Sequence, residues 1–336
     1  MSHAADKNGT RIKTCKKKIC FLDQDTANYF KMLFGSIDTA RFHQVPMTEA
    51  EYLFYSPFTP DHHAARPDTI KILITGENLC PDFNACDYGI SGEYLELGDR
   101  HLRIPHYAAY EAAKNLASRP KINAVDLEQK NKFCNFIYSN GLLAHPIREQ
   151  FFHDLNSIFP VVSAGRYLRN DHSLTARDPD ADWGLEKRNF VKQFRFTIAI
   201  ENSEHQGYIT EKITDAFLAH TVPIYWGDPR VLEEFNADAF LHLRDYPTHE
   251  AAIAEIQRLN ADPKRLLALL NAPVFRGGID RAELYTTSAR DFIEGIFAQP
   301  LTKARRRPRH GRAQWLEQKR RKDQTGIKRR VSNNRF

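Results

Sequence analysis

The stretch ENSEHQGYITEKITDAF, Glu201–Phe217, places two amides, four carboxylates, a glycine, a tyrosine and a lysine at one strand-to-helix junction. Thr210 reads as the cap of the helix that follows, and Glu211 sits where the helix dipole favours an acid. Lys212 sits in the same first turn, where that dipole disfavours a cation. A docked anion would reverse that balance, because free N–H groups, dipole and ammonium then act on one ligand. Gly207 permits close approach, Tyr208 adds a flat face and a hydroxyl, and Glu201 and Asn202 could bind hydroxyls or a base edge. A capped amphipathic helix with Ile213, Ala216, Phe217 and His220 on its inner face accounts for the rest without any ligand.

Elements that could position such a site follow from the apolar runs. Lys18–Asp23, Thr69–Thr75, Asp87–Ser91, Phe133–Tyr138, Pro160–Ser163, Phe194–Ile200, Val222–Trp226 and Ala239–Leu243 read as strands. Tyr107–Leu116, Arg148–Ile158, Thr210–His220, His249–Leu259 and Pro263–Asn271 read as helices. Alternating strands and helices predict an α/β fold with parallel sheets, whose ligands lie beyond the carboxyl ends of the strands. At 336 residues, two domains are expected, dividing near Ser139–His145. The expected units are an acceptor-side domain over 1–140, a second α/β domain over 141–300 and a basic tail over 301–336.

Composition narrows the class. Hydrophobic residues make up 42% and aromatics 11%, enough for sizeable cores. Cys15, Cys20, Cys80, Cys86 and Cys134 are odd in number and lack C-x-x-C spacing, which argues against a zinc site or a disulfide framework. The N-terminal segment lacks the apolar centre of a secretory signal, so a cytoplasmic location is expected. Residues 301–336 carry fourteen Lys/Arg against two acids, a net of +12 that leaves residues 1–300 at −6 of the overall +6. The tail is expected to be flexible or to associate peripherally with an anionic membrane face, each basic residue adding about 1 kcal/mol there. Nucleic-acid binding through the tail is the rival class. The acidic body shows no basic stripe to support it.

From Phe194 to Pro229, FRFTIAIENSEHQGYITEKITDAFLAHTVPIYWGDP closely resembles the signature of the α-1,3/α-1,4-fucosyltransferases, glycosyltransferase family 10, with Ile200 in place of the common Phe. A weaker likeness runs over Thr75–Pro105. The resemblance implies a GT-B fold, two Rossmann-like domains facing a cleft, with GDP-fucose held mainly by the C-terminal one. Carried over, Asn202, Tyr208, Glu211 and Lys212 would lie against the nucleotide, with Glu201 beside them. Lys212 and Arg148, in HPIREQFF, would meet the diphosphate, and Glu211 would accept from the ribose. Read by itself, Arg148 is an exposed first-turn arginine. Glu77, in TGEN, matches the family's general base; from the residues alone, Asp82 or Asp87 could serve instead. The implied activity is inverting transfer of L-fucose to a glycan hydroxyl. No obligate metal is expected, Mn2+ or Mg2+ being at most stimulatory: Asp23-Gln24-Asp25 and Asp178-Pro179-Asp180 match Asp-x-Asp only in letters. A transferase for another sugar nucleotide is the alternative within enzymes.

Overall fold

Apolar runs without alternation bury both faces of a strand, and such strands need helices on both sides. Ile70–Ile74 is buried at every residue, and Phe194–Ile200 at all but Arg195. The computed structural model describes residues 16–35, 41–174 and 183–333. In chain order they form β1 (Lys17–Phe21), α1 (Gln24–Phe34), β2 (Phe42–Gln44), β3 (Tyr52–Tyr55), β4 (Ile70–Ile74), β5 (Tyr88–Ser91) and β6 (His101–Arg103). Next come α2 (Ala124–Glu128), β7 (Lys132–Asn135), α3 (Ile147–Asn156), β8 (Val161–Val162), α4 (Trp183–Val191) and β9 (Phe194–Ile200). The chain continues through α5 (Glu211–Leu218), β10 (Val222–Trp226), β11 (Leu241–His242), α6 (His249–Ala261) and α7 (Pro263–Leu270). It closes with α8 (Arg281–Ala298), α9 (Leu301–Ala304) and α10 (Gly311–Asn333).

Two parallel sheets result, ordered β2-β1-β3-β4-β5-β6 and β11-β10-β9-β7-β8. In the second, β7 and β9 are neighbours, and the chain leaves β7 towards β8 before crossing back to β9. That reversal opens a crevice between the loops after β7 and β9, where ligands of such sheets bind.

Two expectations are corrected, and one helix was not foreseen. β7 belongs to the second sheet, with Cys134 opposite both Val161 and Phe196, so the division falls earlier than 139–145. Periodicity identifies a strand but not its neighbours. Residues 107–116 form two 3-10 turns rather than one helix. The unanticipated α8 crosses back from the second half and packs on α1, with Phe297 edge-on to Tyr52 at 4.8 Å between centroids. One apolar core therefore joins Phe54, Ile72 and Tyr107 to Ile213, Phe217 and Ile293.

The tail also departs from expectation in its described part, being packed rather than flexible. Lys71 on β4 and Asp87 before β5 are both fully buried, and each needs an opposite charge. Arg307 pairs with Asp87, whose Oδ1 also accepts from the Arg306 and Arg307 amides at 2.7 and 2.8 Å. Glu317 on α10 reaches Lys71 at 3.1 Å and Arg307 at 3.2 Å. Among the described residues no helix is long and apolar enough to cross a membrane. Arg307→Ala should lower the unfolding free energy by about 3–5 kcal/mol by stranding Asp87, while exposed Lys322→Ala stays within about 0.5 kcal/mol. Denaturant titration of the two variants measures the difference.

Candidate active site

β9 ends in a carboxylate that solvent does not reach. Glu201 is 0% exposed and accepts from Thr210 N at 2.8 Å, from Thr210 Oγ1 at 2.9 Å and from Lys212 Nζ at 2.9 Å. Thr210 in turn caps α5. The loop between them needs Gly207, at φ +88°: a Cβ there would lie 1.9 Å from the Gly92 carbonyl oxygen of the first half. The close approach brings Asn78 Nδ2 to Ser203 Oγ at 2.6 Å and His205 to Glu93 at 2.6 Å.

Across the crevice, Arg148 is not the exposed first-turn arginine that its position suggests. It is 1% exposed, donates from Nη2 to the Ile200 carbonyl at 2.9 Å and to Asn202 Oδ1 at 2.6 Å, and stacks 4.2 Å from the Tyr138 ring centre. Its Nε has no hydrogen-bond partner among the described residues. Arg148, Asn202, Glu211 and Lys212 line one cavity of about 230 Å³ with Asn140 and Lys187. Lys187 on α4 is a third cation that the sequence reading missed; it is held by Asp215 at 2.9 Å. Nothing in its Glu-Lys-Arg surroundings separates it from a solvated helix face.

Burial alone would neutralise Lys212 and Glu211, but the charges around them keep them ionised. Desolvation opposes the Lys212 ammonium, yet Glu201 and Glu211 outweigh it and hold its pKa well above the ordinary lysine value. Desolvation likewise opposes the Glu211 carboxylate, but Lys212, Lys187 and His106 bring its pKa down to about 2. Three cations thus converge beside the N-terminus of α5, an arrangement suited to an anion with several oxygens.

The first half supplies the facing wall. Glu77 is exposed just beyond β4, in a cavity of about 260 Å³ with Tyr29, Phe58, His106 and Tyr110. A larger space of about 680 Å³ shares Met32 and Tyr110 with that cavity and Lys187 and Glu211 with the anion cavity. The three form one trough from Glu77 to Arg148. Of the alternative bases, Asp87 is consumed by Arg307, and Asp82 faces the tail, 3.3 Å from Arg320. Of the three carboxylates, Glu77 lines the trough. Of the residues expected against the donor, two do not line this cavity: Glu201 lies sealed behind Lys212, and Tyr208, 6% exposed, packs outside it. Asp23 caps α1 and accepts from Ser56 Oγ at 2.9 Å, whereas Asp178–Asp180 lie outside the described residues.

A family model described as glycosyltransferase family 10 (fucosyltransferase), C-terminal part, matches residues 127–271. A second, described as the alpha-(1,3)-fucosyltransferase FucT N-terminal domain, matches residues 20–110, and together the two take in well over half of the chain. The alpha-(1,3)-fucosyltransferase FucT of Helicobacter pylori is 31% identical over 264 residues, 69% of this chain and 53% of that protein. The human 4-galactosyl-N-acetylglucosaminide 3-alpha-L-fucosyltransferase 9 is 35% identical over 151 residues, 44% of this chain and 38% of that protein. The chain thus spans about half the length, or less, of the curated relatives it matches. A crystal structure of an alpha1,3-fucosyltransferase aligns with a TM-score of 0.71 at 25% identity, covering 92% of this chain and 95% of that one. One with GDP aligns with a TM-score of 0.67 at 26% identity, covering 89% and 94%.

His106 gives the trough a pH signature. It stacks on Tyr29 at 5.5 Å, accepts or donates at 3.2 Å to Tyr110, and burial, aided by Lys212 against Glu211, lowers its pKa from 6.5 to about 4. The folded state therefore favours the neutral ring, and its contribution is complete above pH 6.5 and lost as pH falls towards 4. Melting temperature against pH should decline over that window, and His106→Gln should flatten the decline.

Proposed function

Because the chain belongs to glycosyltransferase family 10, with its GT-B fold, we propose that it transfers L-fucose from GDP-β-L-fucose to a glycan hydroxyl, inverting to an α-fucoside. The acceptor position proposed is O3 of an N-acetylglucosamine or similar residue, the linkage named in its relatives. The observation that carries this reading is the single trough in which Arg148, Lys187 and Lys212 face one end and Glu77 the other. A crystallised fucosyltransferase of the same fold binds GDP, which supports a guanine nucleotide at the cationic end.

In the proposed reaction the Glu77 carboxylate takes the acceptor's hydroxyl proton as that oxygen attacks the anomeric carbon of fucose. The bond to the β-phosphate oxygen breaks on the opposite face, and GDP leaves with the bonding electrons. Arg148, Lys212 and the α5 N-terminus hold the charge that develops there, already oriented before the reaction begins. Glu211, ionised at neutral pH, can accept from ribose hydroxyls. With protein cations taking this charge, the proposal includes no obligate metal, and chelator should leave turnover within about twofold. The outer face of α10, where Trp315 is 56% exposed beside Lys319 at 5.4 Å, supports peripheral contact with an anionic membrane on the cytoplasmic side.

Kinetics separate the roles. Glu77→Gln should cut fucosyl transfer by about 10²–10⁴-fold while GDP affinity holds. Lys212→Ala, and Arg148→Lys, which keeps charge but loses the planar fork, should each weaken GDP about tenfold or more by calorimetry. Near-normal transfer by Glu77→Gln would remove it as the base. GDP-mannose or a UDP-sugar outcompeting GDP-fucose would favour a different donor. Trp315→Ala should reduce flotation with phosphatidylserine vesicles without altering turnover in solution.

A further inference from the structure

Glu201 lies directly beneath the cationic end of the trough, yet it does not line the cavity, whereas Lys212 does. A fully buried carboxylate at the end of a strand is costly unless it is paired and hydrogen-bonded. Here all its described partners belong to the first residues of the next helix: the Thr210 amide, the Thr210 hydroxyl and the Lys212 ammonium. The ammonium has three N–H donors. Two are committed, to Glu201 Oε2 and Thr210 Oγ1, each at 2.9 Å, which leaves one for a ligand in the cavity. Room for the carboxylate is built into the neighbouring strand end. A Cβ on Gly227, just past β10, would lie 2.5 Å from Glu201 Cγ and 2.9 Å from the Tyr225 hydroxyl. Tyr225 itself accepts from the Asp228 amide at 3.0 Å, so that ring is fixed as well.

We propose that Glu201 is a positioning residue: it makes no contact with the donor but locks Thr210 and Lys212 into one unit that aims the third N–H of Lys212 at the donor diphosphate. This rests on the reading that a nucleoside diphosphate sugar occupies the cavity. Its consequence is a division of labour between binding and chemistry. Removing the Glu201 charge leaves Arg148, Lys187 and Lys212 in place, so attraction for the diphosphate persists. What is lost is the orientation of Lys212 when the leaving group's charge develops, and misplacement on the scale of an ångström costs about 100-fold in rate.

The test uses Glu201→Gln, which keeps the shape and the ability to accept from Thr210. Expected are a kcat lower by about 10- to 100-fold and a donor KM within about threefold of the parent. In a Lys212→Ala background the same change should lower kcat no further, because Glu201 acts through that side chain. An unchanged kcat, or the same fractional loss in both backgrounds, overturns the proposal; so does a loss that tracks a fallen melting temperature. A second readout does not depend on sugar transfer. Acylation of lysines by an amine-reactive ester, read by mass spectrometry, should be several-fold faster at Lys212 in Glu201→Gln than in the parent, while exposed Lys121 is unaffected. Equal rates at Lys212 overturn the positioning role. If the parent protein transfers no fucose from GDP-fucose, the functional reading fails, and the labelling still decides the role of Glu201.

Discussion

The arrangement of the cleft depends on one buried charge cluster, Glu201 with Thr210 and Lys212, where β9 passes into α5. Two constraints meet there. The carboxylate cannot return to water, so it must be paired by something local, and the first turn of α5 is within reach. The apolar face of α5, Ile213, Ala216 and Phe217, is committed to the core, which fixes the rotation of the helix and the side on which Lys212 emerges. Strand end, helix cap and ammonium therefore move as one piece. Arg148 extends it by donating to the Ile200 carbonyl and to Asn202, one residue on either side of Glu201.

The second half of the cleft is set by how tightly the two sheets are joined. Gly92 and Gly207 bring the backbones together, and Tyr107 N donates to the Ile209 carbonyl at 3.0 Å. Arg103 and Tyr107 of the first half share Glu234 of the second, at 2.8 and 2.9 Å, and Arg119 reaches the carbonyls of Phe217 and Ala272. With α8 returning across the first half, these contacts join the two walls of the trough. This much connection holds Glu77 and the cationic end at a set separation, as the proposed single displacement requires.

Charge reads differently once the fold is known. The basic tail and the acidic body are not two independent parts. Arg305, Arg306 and Arg307 are turned inward to serve Asp87, Asp99 and Glu317. Among the described residues, Lys303, Arg309 and the outer face of α10 remain exposed to a partner, so a net charge of the tail overstates its capacity for nucleic acid or lipid.

Much of the second sheet was legible in the sequence because its signals are local. Phe194–Ile200 and Val222–Trp226 are strands residue for residue, since a continuous apolar run bounded by polar or glycine residues needs no distant information. The Thr210 cap and the inner face of α5 follow from the same short-range rules, and Lys212 was conspicuous because it opposes the helix dipole. Burial of Arg148, the placing of Glu77 rather than Asp82 or Asp87 in the trough, the cation at Lys187 and the withdrawal of Glu201 behind Lys212 were decided only in three dimensions. Each depends on which group of opposite charge arrives from elsewhere. Asp87 is excluded as a base by an arginine 220 residues away, and Arg148 is buried by a strand end 52 residues on. Local chemistry sets which residues can hold a charge; the pairing of distant segments sets which charges are left free to act.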